Sequence, residues 1–181
     1  MKKIVVVSTS LRKNSNSEIL ANEFIKGAKV NGNKVDAINL KGLKMNFCIG
    51  CLSCQKTNKC VIKDDITKDM LKKICDSDVL VFVTPVYYYA VSGQLKTFID
   101  RMNPVYNMDY KFKDIYVIST AAEDEKRTFK GISEDIKGFI DCYEGVKLKN
   151  KLYAGGLEKG GDVKMRTDLL KKAYEMGLKI K

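Results

Sequence analysis

The chain has 181 residues, 45% of them hydrophobic and 30% charged, the balance of an ordinary soluble globular protein of one domain spanning residues 1–181. Its formal net charge is +11, but the lysines are spread along the chain beside acidic residues, as in "KDDITKDMLKK" and "EDEKRTFK"; with no basic tail or recognition-helix pattern, a nucleic-acid partner is not expected. Histidine is absent altogether, which excludes Ser–His–Asp triads and Cys–His pairs, so the chemistry is expected from a bound cofactor, with no catalytic side chain as nucleophile.

The first residues, "MKKIVVVSTSLRKN", hold an apolar run too short for a signal peptide. No stretch approaches the roughly 18 apolar residues of a membrane span, so a cytoplasmic protein with reduced thiols and no membrane partner is expected. "KIVVVS" (Lys3–Ser8) predicts a buried strand, and the spacing of Leu20, Phe24 and Ala28 predicts a helix starting near Asn16. "KVDAINL" is the next strand. Helices then follow from Ile66, Met70, Leu71 and Ile74, from Leu95, Phe98, Ile99 and Met102, from Phe129 through Tyr143, and from Leu169 to Met176. Between them "DVLVFVT" (Asp78–Thr84) and "DIYVIST" (Asp114–Thr120) are continuous apolar runs suited to central parallel strands, and "KLYAGGL" is the expected last strand. Five alternating strand–helix units predict an α/β, doubly wound five-stranded parallel sheet with helices on both faces.

Three strand ends carry polar or aromatic loops, where such folds bind ligands. The first, "STSLRKNSNS" (Ser8–Ser17), has neither GxGxxG nor GK[ST] but is rich in hydroxyls and amides, with one cation in Arg12. At a helix N-terminus that suits a phosphate monoester, although Ser15 or Asn16 acting merely as an N-cap accounts for the stretch equally well. The third strand runs into "TPVYYYAVSGQLKTFIDR", whose tyrosines suit the wall of a planar ring or a subunit interface. Small residues Ala121 and Ala122 beside Glu123 follow the fourth strand. Together the three loops describe a flavin mononucleotide (FMN) site better than any one of them alone.

One connection is too long for this fold. Residues 41–63 show no periodic pattern yet hold four of the six cysteines, in "CIGCLSCQKTNKC", spaced Cys-x2-Cys-x2-Cys-x5-Cys. Ferredoxin-type loops use x2 intervals to aim three thiolates at three corners of a cubane, and Cys60 stands near enough to supply a fourth. Zinc sites more often use two CxxC pairs separated by a longer stretch, and a non-catalytic, zinc-stabilised binding module remains an alternative. Cys75 and Cys142, on or beside apolar helical stripes, are expected to be small core residues.

Taken in this order, "TSLRKNSNS", "CIGCLSCQKTNKCVIKDD" and "TPVYYYAVSGQLKTFIDR" resemble the flavodoxin-like NAD(P)H-dependent FMN reductase superfamily, and within it the iron–sulfur flavoproteins of anaerobes. The likeness extends to the late "YAGGLEKGGDVK". It implies a flavodoxin-like fold with FMN phosphate held by Ser10, Arg12, Asn16 and Ser17. Pro85, Val86, Tyr87 and Tyr88 would face the isoalloxazine ring, and Thr120, Ala121 and Glu123 would close its other side. It further implies a [4Fe–4S] cluster on Cys48, Cys51, Cys54 and Cys60, and a flavin-dependent oxidoreductase passing electrons between a one-electron carrier such as ferredoxin and a small-molecule two-electron acceptor. The family also implies NAD(P)H as an electron donor and a homo-oligomer, dimer or tetramer, with flavin near the subunit interface. The alternative within the superfamily is a cluster-free NAD(P)H-dependent FMN or quinone reductase. Ser15 stands where the family often has glycine, and Tyr89–Ala90 where it often has smaller residues.

Overall fold

A computed structural model describes residues 1–67 and 70–181. Five parallel strands run in the order β2-β1-β3-β4-β5. They are β1 (Lys3–Ser8), β2 (Lys34–Asn39), β3 (Val79–Pro85), β4 (Asp114–Thr120) and β5 (Lys147–Ala154). The helices are α1 (Asn16–Val30), α2 (Ser53–Thr57), α3 (Met70–Cys75), α4 (Gly93–Asp100), α5 (Lys130–Asp141) and α6 (Thr167–Leu178). This is the doubly wound, flavodoxin-like α/β architecture that the alternating pattern predicts. Residues 68–69, inside the expected third helical pattern, lie outside the described residues.

Strands β1 and β3 are apolar along nearly their whole length because helices cover both faces of the sheet. Successive side chains divide between two cores. Val5, Val7, Leu80 and Phe82 face Ile74, Leu95, Phe98, Ile132 and Phe139 from α3, α4 and α5. Ile4, Val6, Val79 and Val81 face Leu20, Phe24, Leu169 and Ala173 from α1 and α6. Helices α1 and α6 meet through glycines: a Cβ on Gly27 would run into the Tyr174 carbonyl, and one on Gly177 into that of Phe24. Among the described residues no helix is long and apolar enough to cross a membrane.

Two elements differ from expectation. Strand β5 starts at Lys147 rather than Lys151. Its first five residues are solvent-exposed at the sheet edge, so they carry no apolar signal, and a bulge opposite Ile115–Tyr116 breaks the register further. The cysteine-rich connection contains a short helix, α2, too brief to show periodicity. Cys75 is buried as expected, but Cys142 is exposed, because at the C-cap of α5 it falls between Phe139 and Tyr143, which are the residues that turn into the core.

The chain leaves β1 on one side to make β2 and crosses back to make β3. That reversal opens a crevice beyond the carboxyl ends of β1 and β3.

Candidate functional site: a crevice and a thiol loop

The crevice begins where β1 hands over to α1. Ser15, extended at φ −61° and ψ 130°, caps α1 by accepting from the Glu18 N–H, and the other N–H groups of the first turn have no intrahelical partners. Ser10, Arg12, Ser15 and Asn16 line a cavity of about 120 Å³ together with Pro85, Val86, Tyr87, Thr120 and Ala121. A second cavity of about 260 Å³ shares Val86, Ala121 and Ala122 with the first and adds Tyr88, Tyr89, Glu123 and Thr128. Every flavin-site residue expected from the sequence borders one of these neighbouring spaces except Ser17. That side chain is fully buried beneath the loop, its hydroxyl 2.9 Å from that of Ser15.

Asn16 has its own task. Its amide donates to the Lys159 carbonyl at 2.8 Å and accepts from the Gly161 and Val163 N–H groups at 3.0 and 3.2 Å. Arg12 donates to the Glu158 carbonyl at 3.0 Å. These bonds draw the loop after β5 over the first loop, and Leu157 and Glu158 complete the cavity wall. Sequence reading missed both residues in that role, although they lie in the quoted "YAGGLEKGGDVK".

Buried hydroxyls fix the second wall. Thr9 donates to the Val83 carbonyl at 3.1 Å, and its Oγ1 lies 2.9 Å from that of Ser92, the N-cap of α4. The Ser92 N–H in turn reaches Thr84 Oγ1 at 3.1 Å. Between β3 and α4 the chain makes a tight turn, with reciprocal backbone bonds between Tyr87 and Ala90. Both central residues are left-handed, Tyr88 at φ 49° and Tyr89 at φ 62°, a geometry that normally selects Gly or Asn. Tyr89 donates to Glu123 at 3.2 Å and lies under the Arg127 guanidinium, whereas Tyr88 is 99% exposed. Backbone bonds from Val86 to Thr120 and from Ala121 to Ala154 lock the three strand ends together.

This donor set fits FMN. A helix N-terminus with serine hydroxyls and one guanidinium lies at one end of the crevice, and alanines with tyrosines line the other.

The cysteine connection builds a second site. Left-handed backbone at Gly50, Leu52 and Asn58 turns the chain sharply on either side of α2. Cys48, Cys51, Cys54 and Cys60 are unpaired thiols that line one small cavity of about 20 Å³. Burial pushes the Cys54 thiol up, and the neighbouring Cys60 adds to that, while the Ser53 N–H and hydroxyl pull Cys51 down. Among the described residues no three His, Cys, Asp or Glu side chains converge on one ion position. A cubane distributes its ligands over four corners rather than one point, and a purely thiol donor set is the soft kind that iron–sulfur clusters take.

Arg101 anchors this loop, and sequence reading gave it no role. Its side chain is fully buried at the end of α4, with Nη1 2.5 Å and Nη2 3.0 Å from the two Asp64 oxygens. The same guanidinium donates to the carbonyls of Asn46 at 2.7 Å and Ile62 at 3.3 Å, one on each side of the cysteines. Burial pushes Asp64 up, but the Arg101 hydrogen bonds, helped by the Asn46 N–H, outweigh it and hold the carboxyl below its usual range.

Three comparisons bear on these sites. A family model described as NADPH-dependent FMN reductase matches residues 2–127. An iron–sulfur flavoprotein of Archaeoglobus fulgidus is 37% identical over 103 residues, 56% of this chain and 46% of that protein. One from Methanocaldococcus jannaschii is 35% identical over 103 residues, 57% of this chain and 53% of that protein. The matched part thus spans about half the length of these curated relatives. The solved NAD(P)H:quinone oxidoreductase from Methanothermobacter marburgensis superposes with a TM-score of 0.74 at 19% identity, covering 98% of this chain and 96% of that one. At that identity the likeness is one of fold.

Proposed function

Because this chain belongs to the NADPH-dependent FMN reductase family, we propose that it is an FMN-dependent oxidoreductase of the iron–sulfur flavoprotein type. It exchanges electrons between a one-electron carrier such as ferredoxin and a small-molecule two-electron acceptor. The observation that carries the flavin reading is the pair of neighbouring cavities that both border Val86, Ala121 and Ala122. They run from an anion-binding helix end to an aromatic turn, the two ends that FMN requires. The cluster reading is supported by four free thiols around one cavity and by the names of the relatives.

Bound FMN supplies electron transfer singly or in pairs, and a [4Fe–4S] cluster supplies it one electron at a time. The chain's own residues hold and shield these groups. Ser10, Ser15, Arg12 and the first turn of α1 neutralise and orient the phosphate. Pro85, Val86 and Tyr87 form one side of the ring slot; Thr120, Ala121 and Ala122 form the other. Glu123 is held in place by Tyr89 and Thr128 and closes the slot's rim. Cys48, Cys51, Cys54 and Cys60 ligate the cluster, and Tyr88 is left to meet the substrate or a second copy of the chain in a homo-oligomer.

Protein purified without oxygen should contain FMN together with about four iron and four sulfide per chain, with flavin bands over a broad iron–sulfur shoulder. Flavin without iron would remove the cluster and leave the second reading, a cluster-free NAD(P)H-dependent reductase, which the family description favours. Flavin reduction by NADPH undiminished in Cys51→Ser would then identify it. Protein that takes up no FMN at micromolar supply would overturn both.

A further inference from the structure

Arg101 has one N–H left over. Its two terminal nitrogens are committed to Asp64, Asn46 and Ile62, but Nε is buried with no hydrogen-bond partner. Buried guanidinium donors are rarely left unmet, since the loss of water is not repaid, least of all for a charged group. The cavity that Arg101 borders is the one lined by all four cysteines. A neutral thiol is a poor acceptor, whereas a metal-bound thiolate is a good one. The unmet donor therefore matches a ligated state of the loop.

We infer that Arg101 is a positioning residue for the cluster, its Nε–H donating to the metal-bound Cys60 thiolate while its other nitrogens pin both ends of the cysteine loop. This rests on the cluster reading above. The choice of Cys60 comes from its position: Nη2, which shares the guanidinium edge with Nε, donates to the Ile62 carbonyl two residues beyond Cys60, and Cys60 lines the cavity that Arg101 borders. A fixed positive donor beside the thiolate stabilises the form of the cluster carrying one more electron, so Arg101 raises the reduction potential without exchanging a proton. It gives the sulfur a partner that lysine, whose compact ammonium has no equivalent of Nε, does not reproduce in the same place.

The test uses anaerobically purified, cluster-loaded protein grown on arginine carrying 15N only at Nε. After one-electron reduction by dithionite, pulsed electron paramagnetic resonance should detect a 15N coupling to the reduced cluster. In Arg101→Lys, which keeps a cation opposite Asp64, the equilibrium constant for cluster reduction should fall about tenfold, equivalent to about 59 mV for a one-electron couple. Absence of the 15N coupling in iron-replete wild-type protein overturns the assignment of Arg101 and leaves the cluster reading intact. An unchanged potential in a loaded Arg101→Lys protein does the same. Wild-type protein lacking iron and sulfide overturns both. Where Arg101→Lys fails to assemble, the isotope measurement on the wild type decides alone.

Discussion

Tyr88 is an unusual residue to find at φ 49° and almost wholly in solvent. A side chain in the left-handed region costs about 1–2 kcal/mol, and here there is little burial to offset it. Tyr88→Gly should relieve that cost, less about 0.5–1 kcal/mol of added chain entropy. The variant is expected to unfold in urea with a free energy equal to or up to about 1.5 kcal/mol above wild type, while binding FMN more weakly by fluorescence quenching. A stability loss beyond about 1 kcal/mol would mean that Tyr88 packs against something this single chain does not contain.

Asp64 sets a second expectation at the same scale. Its folded carboxyl is held below its ordinary value, so its contribution is present above about pH 4 and is lost as pH falls through the depressed folded value. Asp64→Asn leaves Arg101 charged and buried without its counter-ion and should cost about 3–5 kcal/mol at pH 7. The gap between the two proteins should close in acid, as the wild-type carboxyl takes up its own proton. A gap of constant size from pH 7 to pH 3 would show that the ion pair does not hold the loop. Sequence alone hid this pair, because Arg101 and Asp64 are 37 positions apart and nothing in either neighbourhood reports a distance. The crevice was more legible: Ser10, Arg12, Val86 and Ala121 follow strands whose apolar runs announce them. The two left-handed tyrosines were not, since turns of that kind are ordinarily signalled by Asn-Gly.

Among the elements, the contact of α1 with α6 depends on two missing side chains. Alanine raises intrinsic helix stability by about 1 kcal/mol over glycine, but at Gly177 its Cβ would enter the Phe24 carbonyl. Overpacking of this sort costs about 1–3 kcal/mol and, striking rigid backbone, should be the larger effect. Gly177→Ala is expected to lower the thermal midpoint, whereas an alanine at Gly138, where a Cβ meets open space, should raise it slightly. A Gly177→Ala protein as stable as wild type would mean that the helices separate freely. Element prediction succeeded where burial on both faces made strands uniformly apolar, as in β1, β3 and β4. It failed at the start of β5 and at α2, where exposure or brevity leaves no period to read.

For the whole molecule, the distributed charge matters more than any single lysine. With a net charge of +11, encounter with an acidic one-electron protein donor should be steered electrostatically. Raising ionic strength from about 0.01 to 0.15 M shortens the screening length from about 30 to about 8 Å. Over that range the second-order rate of flavin reduction by such a donor should fall by about tenfold, measured by stopped flow. A rate indifferent to salt would remove the charge from the account of partner choice.

The β5 border of the sheet has its own consequence. Lys147, Lys149 and Lys151 stand exposed along β5, with Lys149 leaning 3.5 Å from Asp114. A sixth strand arriving there would have to strip water from a row of ammonium groups, so the border repels copies of itself as well as foreign polypeptide. Assemblies of this chain are thereby directed away from β5, toward its helical flanks, its loop rims or the opposite border at β2, and a crowded, partly folded population is spared stacking along β5.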